Sequence, residues 1–154
     1  MDEARPANVT GAWPGAGTGY YGAAPIMLDG RGAIMTTSVV GLSIDCADAA
    51  TLAGFWSEVL GRPVNPGADA DRAAIDAADP ASGPRMSFQK VPEPKTVKNR
   101  LHLDLRTDQF EAESERLRGL GATAIQSFER PQIRWTTFAD PEGNEFDLIT
   151  TPSA

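Results

Sequence analysis

The feature that most constrains this chain is a strand-then-helix unit that occurs twice at matched spacing. In the first copy Val40, Leu42 and Ile44 alternate with Gly41, Ser43 and Asp45, the period of a strand with two unlike faces. Asp48 then stands as an N-cap, and Leu52, Phe55, Trp56, Val59 and Leu60 fall at helical spacing before Gly61 and Pro63. In the second copy Leu101, Leu103 and Leu105 alternate with His102, Asp104 and Arg106. Asp108 is the expected cap of a helix carrying Phe110, Leu117 and Leu120 before Gly121. Each capping aspartate precedes its closing glycine by 13 residues, Asp48 to Gly61 and Asp108 to Gly121. Asp108 and Glu111 have capping-box spacing, and the second helix carries glutamates early and Arg116 and Arg118 late, as its dipole favours.

Shorter strand-like segments follow each helix: Pro63–Pro66, Arg72–Ala77 and Arg85–Val91 in the first half, and Thr123–Phe128, Ile133–Ala139 and Glu145–Thr150 in the second. Each half therefore reads β-α-β-β-β. Turn chemistry punctuates both, at Asp79-Pro80-Ala81-Ser82-Gly83-Pro84 and at Asp140-Pro141-Glu142-Gly143-Asn144. The halves meet at Pro92-Glu93-Pro94-Lys95. Two copies are too few for a solenoid, and neither half could bury its sheet alone.

A chain of 154 residues has room for one such core. Residues 1–35 hold seven of the 15 glycines and three prolines, and they read as a flexible extension. Two alternatives accompany that reading. The segment could precede a later start at Met27 or Met35, or it could be an arm, bearing Trp13, Tyr20 and Tyr21, that docks on the domain or on a second subunit. Residues 36–151 form the expected domain, with modules at about 39–91 and 99–150.

The net charge of −7 repels phosphate backbones and anionic lipid surfaces, so nucleic acid and membrane partners are not expected. No apolar run approaches the roughly 20 residues of a spanning helix. Cys46 is the single cysteine, no secretory signal is evident, and a cytoplasmic location is expected.

Two β-α-β-β-β modules in tandem, with Phe55-Trp56 and Leu60-Gly61 in the first helix and Asp140-Pro141-Glu142-Gly143-Asn144 before the last strand, resemble the vicinal oxygen chelate (VOC) superfamily. The stretch Lys98-Asn99-Arg100-Leu101-His102-Leu103-Asp104 is similar to its glyoxalase-like branch, and the resemblance covers about residues 39–149. It implies an α+β fold in which the two modules curl into one incompletely closed barrel, with helices outside and a cleft on the concave side. Metal ligands in this superfamily come from the first and last strands of the modules. On that pattern His102 matches the ligand opening the second module, and Asp147 matches the carboxylate three residues beyond Asn144. The opening position of the first module falls on Gly41, which offers no ligand, and the fourth-strand position falls near Gln89.

His102, Asp147 and Gln89 are thus the candidate ligands for one divalent ion, Mn, Fe, Ni or Zn, with His102 and Asp147 also the candidate catalytic pair. The residues support two further roles for His102: a polar-cleft histidine bonding to its neighbours, or a metal-free general base paired with Asp104 or Asp147. Trp56, Gln89, Asp104, Arg106, Trp135 and Phe138 are the candidate substrate contacts, with Trp135 placed to stack on a ring. Arg100, Arg106 and Arg134 are the cations expected to draw in an anion. Cys46 falls at the apolar end of its strand and reads as buried core rather than nucleophile.

Two functions follow from the resemblance. One is a metal-assisted isomerase, lyase or dioxygenase acting on a small oxygenated metabolite. The other is a metal-independent protein of the bleomycin-resistance type that sequesters a small molecule. Relatives of that kind imply a homodimer.

Overall fold

A computed structural model describes residues 27–28, 34–35, 37, 39–78 and 83–151. The chain divides into two units, Met1–Val40 and Gly41–Ala154. In the first, β1 (Met27–Leu28) pairs antiparallel with β2 (Ile34–Met35). Trp13, Tyr20 and Tyr21, and residues 79–82 of the first predicted break, lie outside the described residues.

The second unit follows the predicted order: β3 (Gly41–Cys46), α1 (Ala49–Leu60), β4 (Arg72–Ile75) and β5 (Arg85–Lys90), then β6 (Asp104–Arg106), α2 (Phe110–Leu120), β7 (Thr123–Arg130), β8 (Ile133–Ala139) and β9 (Glu145–Thr150). The strands form two mixed sheets, ordered β3-β5-β4 and β6-β9-β8-β7, and they do not close into a barrel. In each sheet the opening strand runs parallel to the last strand of its module, β3 to β5 and β6 to β9, and the other pairs are antiparallel. This is the expected α+β architecture, an unclosed pair of modules, β-α-β-β-β in the second half and β-α-β-β with one isolated bridge in the first.

α1 starts where predicted. Asp48 accepts from Thr51 N at 2.8 Å, and Gly61 closes the helix in the left-handed region at φ 63°. That bond holds the Asp48 carboxyl below its ordinary range. α2 closes at Gly121, φ 107°, but its predicted cap is displaced by one residue. Gln109 occupies the cap position and makes no side-chain cap bond. The capping box does not form, because Asp108 reaches Arg106 at 3.7 Å while Glu111 pairs with Arg134.

Two predicted strands are shorter than their patterns. Pro63–Pro66 contributes only an isolated bridge, Val64 to Ile75, since its flanking prolines have no N–H to donate. The strand expected from Leu101 begins only at Asp104, because the chain bends at Arg100 and Leu101. As a result Leu101 is 64% exposed instead of packing beneath the helix.

The core is shared between the modules. Leu52, Phe55 and Trp56 of α1 and Met86 and Phe88 of β5 join Phe138, Phe146 and Leu148 of the second sheet. Trp56 and Phe146 meet edge to face at 5.1 Å between ring centroids, and Phe138 stacks on Phe146 at 5.8 Å. Removing such side chains from water stabilises the fold by about 1.5–3 kcal/mol each, so neither sheet is expected to persist without the other.

Candidate functional site

Strand alternation sorts β9 into Phe146 and Leu148, which are buried under the helices, and Glu145, Asp147 and Ile149, which face the other way. Parallel pairing with β6 sets Asp104 opposite Asp147, and antiparallel pairing with β8 sets Thr137 opposite Asp147 from the other side. One polar row therefore crosses the second sheet: Asp104, Asp147, Thr137 and, on β7, Gln126. Thr137 Oγ1 donates to Asp147 Oδ1 at 2.6 Å, which fixes the rotation of that carboxylate.

His102 lies two residues before β6. Its Nδ1 is 3.5 Å from Asp104 Oδ1. Ligand atoms of His102, Asp104 and Asp147 all lie within 4.8 Å of one another, with the first two side chains exposed and Asp147 half-buried. Two carboxylates held this close repel each other, and a divalent cation would offset that repulsion while accepting the imidazole nitrogen. The donor set fits such an ion. The sequence pattern makes His102 and Asp147 ligands and Asp104 a substrate contact or base partner of His102; the structure brings the three ligand atoms together.

Gln89 sits in the first sheet, in register with Asp45 on β3 and Arg72 on β4. Gly41 opens β3 opposite Arg85, and a Cβ added there would meet the Arg85 carbonyl oxygen at 3.4 Å and the Arg85 Cβ at 3.9 Å. Trp56 is buried, and its ring borders a cavity of about 80 Å³ that His102, Asn99, Asp140 and Glu145 also line.

The next row of the second sheet is different in kind. It runs Arg106, Ile149, Trp135, Phe128, on the same face as Asp147. Trp135 and Phe128 are stacked at 4.7 Å and 14°, and the Arg130 guanidinium lies 5.9 Å from the Trp135 ring. Arg106 is exposed beside Asp108.

Two expectations are corrected by alternation along β8. Phe138 is 0% exposed and belongs to the helix-side core, since it lies three residues from Trp135 and so on the opposite face. Arg134 shares that helix side, where it covers the Phe110 ring at 4.0 Å and pairs with Glu111, instead of lining the cleft. Cys46 is buried as expected. Burial first, then the charges of Glu142, Asp45 and Asp48, push its thiol up to about 11, which suits core rather than nucleophile.

The turn before β9 holds the site together from behind. Asp140 accepts from Glu142 N, from Asn144 N and from the Asn144 side chain, and it also takes the Trp56 indole N–H. Glu142 accepts from Ala47 N and Asp48 N, at the entry to α1. At the head of β9, Glu145 accepts from Asn99 N at 2.9 Å and lies 3.5 Å from Lys95 Nζ. Burial works against the Glu145 charge, but the Asn99 N–H, its own N–H, Lys95 and Lys98 outweigh it and hold the carboxyl below its ordinary range.

Residues 41–149 match the model of the glyoxalase-like domain family. The chain belongs to this family. Solved structures of glyoxalase, bleomycin-resistance and dioxygenase proteins share the fold of this glyoxalase-like domain. A glyoxalase/bleomycin resistance protein/dioxygenase family enzyme from Burkholderia phytofirmans PsJN is 16% identical, with a TM-score of 0.61 over 75% of this chain and 100% of that one. A variant of the fosfomycin resistance protein FosX from Listeria monocytogenes, complexed with Mn(II) and 1S,2S-dihydroxypropylphosphonic acid, is 14% identical, with a TM-score of 0.61 over 74% of this chain and 90% of that one. The oxidase ChaP-H2 is 19% identical, with a TM-score of 0.57 over 78% of this chain and 98% of that one. At such identities the likeness is one of fold. No curated protein sequence matches the chain. Among the described residues no helix is long and apolar enough to cross a membrane.

Proposed function

We propose that this glyoxalase-like domain is a metal-assisted enzyme acting on a small oxygenated metabolite, by isomerase, lyase or dioxygenase chemistry. The observation that carries the reading is the convergence of one imidazole and two carboxylates, His102, Asp104 and Asp147, on a single point of the exposed sheet face. FosX, with the same fold, is a protein complexed with Mn(II) and a small diol phosphonate.

The oxygen-rich set suits Mn²⁺ or Fe²⁺, and the imidazole also accommodates Ni²⁺ or Zn²⁺. Gln89 is the candidate donor from the first sheet. When bound, the ion supplies Lewis-acid polarisation of a substrate oxygen. The remaining work falls to the chain. Asp104 lies 3.5 Å from His102 Nδ1, and Thr137 orients Asp147 through its hydrogen bond. The neighbouring row offers Ile149 and Trp135 as an apolar floor for the substrate body and Arg106 and Arg130 as cations for an acidic substituent. Action in a reducing cytoplasm as a homodimer belongs to the same reading, and sedimentation equilibrium reports the assembly.

A second reading, a metal-independent binding protein of the bleomycin-resistance type, draws on Gly41, which leaves the first module without its ligand. Metal titration separates the two. Untagged wild type, His102→Ala, Asp104→Asn and Asp147→Asn are titrated with Mn²⁺ and Zn²⁺. One ion per chain, lost in the three variants, supports the enzyme reading and justifies substrate screening. No ion in the wild type defeats it and favours sequestration.

A further inference from the structure

The segment that carries His102 has an unusual path. Continuing the Asp104 to Asp147 register backwards would set residue 102 against Glu145 in a regular parallel strand. The chain instead bends at Arg100 and Leu101, so that Asn99 N donates to the Glu145 carboxylate at 2.9 Å. Just beyond His102, Asp147 N donates to Leu103 O at 2.8 Å. His102 therefore lies between two attachments to β9, the Glu145 carboxylate at Asn99 N and the Asp147 N–H at Leu103 O.

We propose that Glu145 is a positioning residue, one that sets the reach of His102 toward Asp104 and Asp147 by clamping the backbone at Asn99. The inference rests on the metal reading above for its functional meaning, but its geometry does not. The contact runs through the backbone N–H of Asn99, so Glu145 holds the main chain of this segment rather than a side chain. Lys95, 3.5 Å from the same carboxylate oxygen, ties the linker at a second point. The clamp and the ligand share one strand, with Glu145 two residues before Asp147 on the same face of β9. Any shift of β9 thus moves both sides of the site together, which preserves the spacing between His102 and Asp147.

The test compares untagged wild type, Glu145→Ala and Glu145→Gln by Mn²⁺ affinity and by the ring Cε1–H resonance of His102 in metal-free protein. That signal is unambiguous because the chain has one histidine. Glu145→Ala is expected to weaken Mn²⁺ binding by about 10–100-fold and to move the metal-free His102 resonance toward its unfolded position. Glu145→Gln, whose amide oxygen still accepts from Asn99 N, is expected to keep both close to wild type. An unmoved His102 resonance in Glu145→Ala overturns the clamp, as does a loss in Glu145→Gln equal to that in Glu145→Ala. If Glu145→Ala does not fold, Glu145→Met, of similar length but without a carboxylate to accept from Asn99 N, carries the same two outcomes. A wild type that binds no Mn²⁺ defeats the metal reading alone, while the His102 resonance still decides the clamp.

Discussion

The indole N–H of Trp56, on the helix of the first module, donates to Asp140 Oδ2, in the turn before the last strand of the second, at 3.3 Å across 84 residues of chain. Asp140 is buried, and the other donors to its carboxylate come from its own turn. The bond thus couples the turn that launches β9, and with it Asp147, to the helix of the other module. Asp140→Ala is expected to lower the unfolding free energy by about 2–3 kcal/mol, because it strands the buried Trp56 donor and three part-buried donors of the turn at once. Trp56→Phe should cost about 1–2 kcal/mol. Urea unfolding followed by circular dichroism measures both, and near-neutral effects would show that the coupling is dispensable.

Glu142 caps a helix to which it does not belong. Its two oxygens accept from Ala47 N and Asp48 N at 2.7 and 3.0 Å, just ahead of α1. Replacing it with Ala should destabilise the domain by about 1 kcal/mol, the usual worth of an N-terminal cap. Glu142→Gln should retain part of that and, by removing a charge that raises the Cys46 pKa, should shift the thiol back toward its ordinary range. Thiolate ultraviolet absorbance against pH reads that shift.

Cys46 gives the fold a dependence on alkaline pH. Its thiol is raised from 9.0 to about 11, so between those values the folded chain binds more proton than the unfolded chain does. The contribution of Cys46 is therefore complete below pH 9 and is lost as pH rises toward 11. Stability should fall across that window, and the fall should be shallower in Cys46→Ala. Thermal midpoints at several alkaline pH values compare the two slopes, and equal slopes would exclude Cys46 as the source.

Leu101 and Leu148 look alike in the sequence but do unlike things in the fold. Leu101→Ser, at an exposed bend, should change stability by no more than about 0.5 kcal/mol. Leu148→Ala, at 1% exposure in the shared core, should cost about 2–5 kcal/mol. A large effect at Leu101 would mean that another surface covers it, and sedimentation of the same variant would show whether a second copy does so.

Much of this was legible from residue order. The twin glycine C-caps, the Asp48 cap, the alternating faces of β3 and the burial of Cys46 are local or periodic properties, and period and cap chemistry report them directly. The bend at Arg100 and Leu101 was not legible, because its cause is a carboxylate 46 residues away. The displaced cap of α2 is partly of the same kind: Arg134 of β8 takes Glu111, while Asp108 lies 3.7 Å from Arg106, two residues before it.

The candidate site divides along the same line. Sequence by itself determined that Asp147 points away from Phe146 and Leu148, because side chains on a strand alternate whatever the surroundings. Only the tertiary structure decided that Asp104 stands opposite Asp147, that Gln89 belongs to the other sheet, and that Glu145 holds Asn99. Alternation fixes which way a side chain points, but register and long-range hydrogen bonds fix which other side chain it meets, and those depend on how two distant segments align.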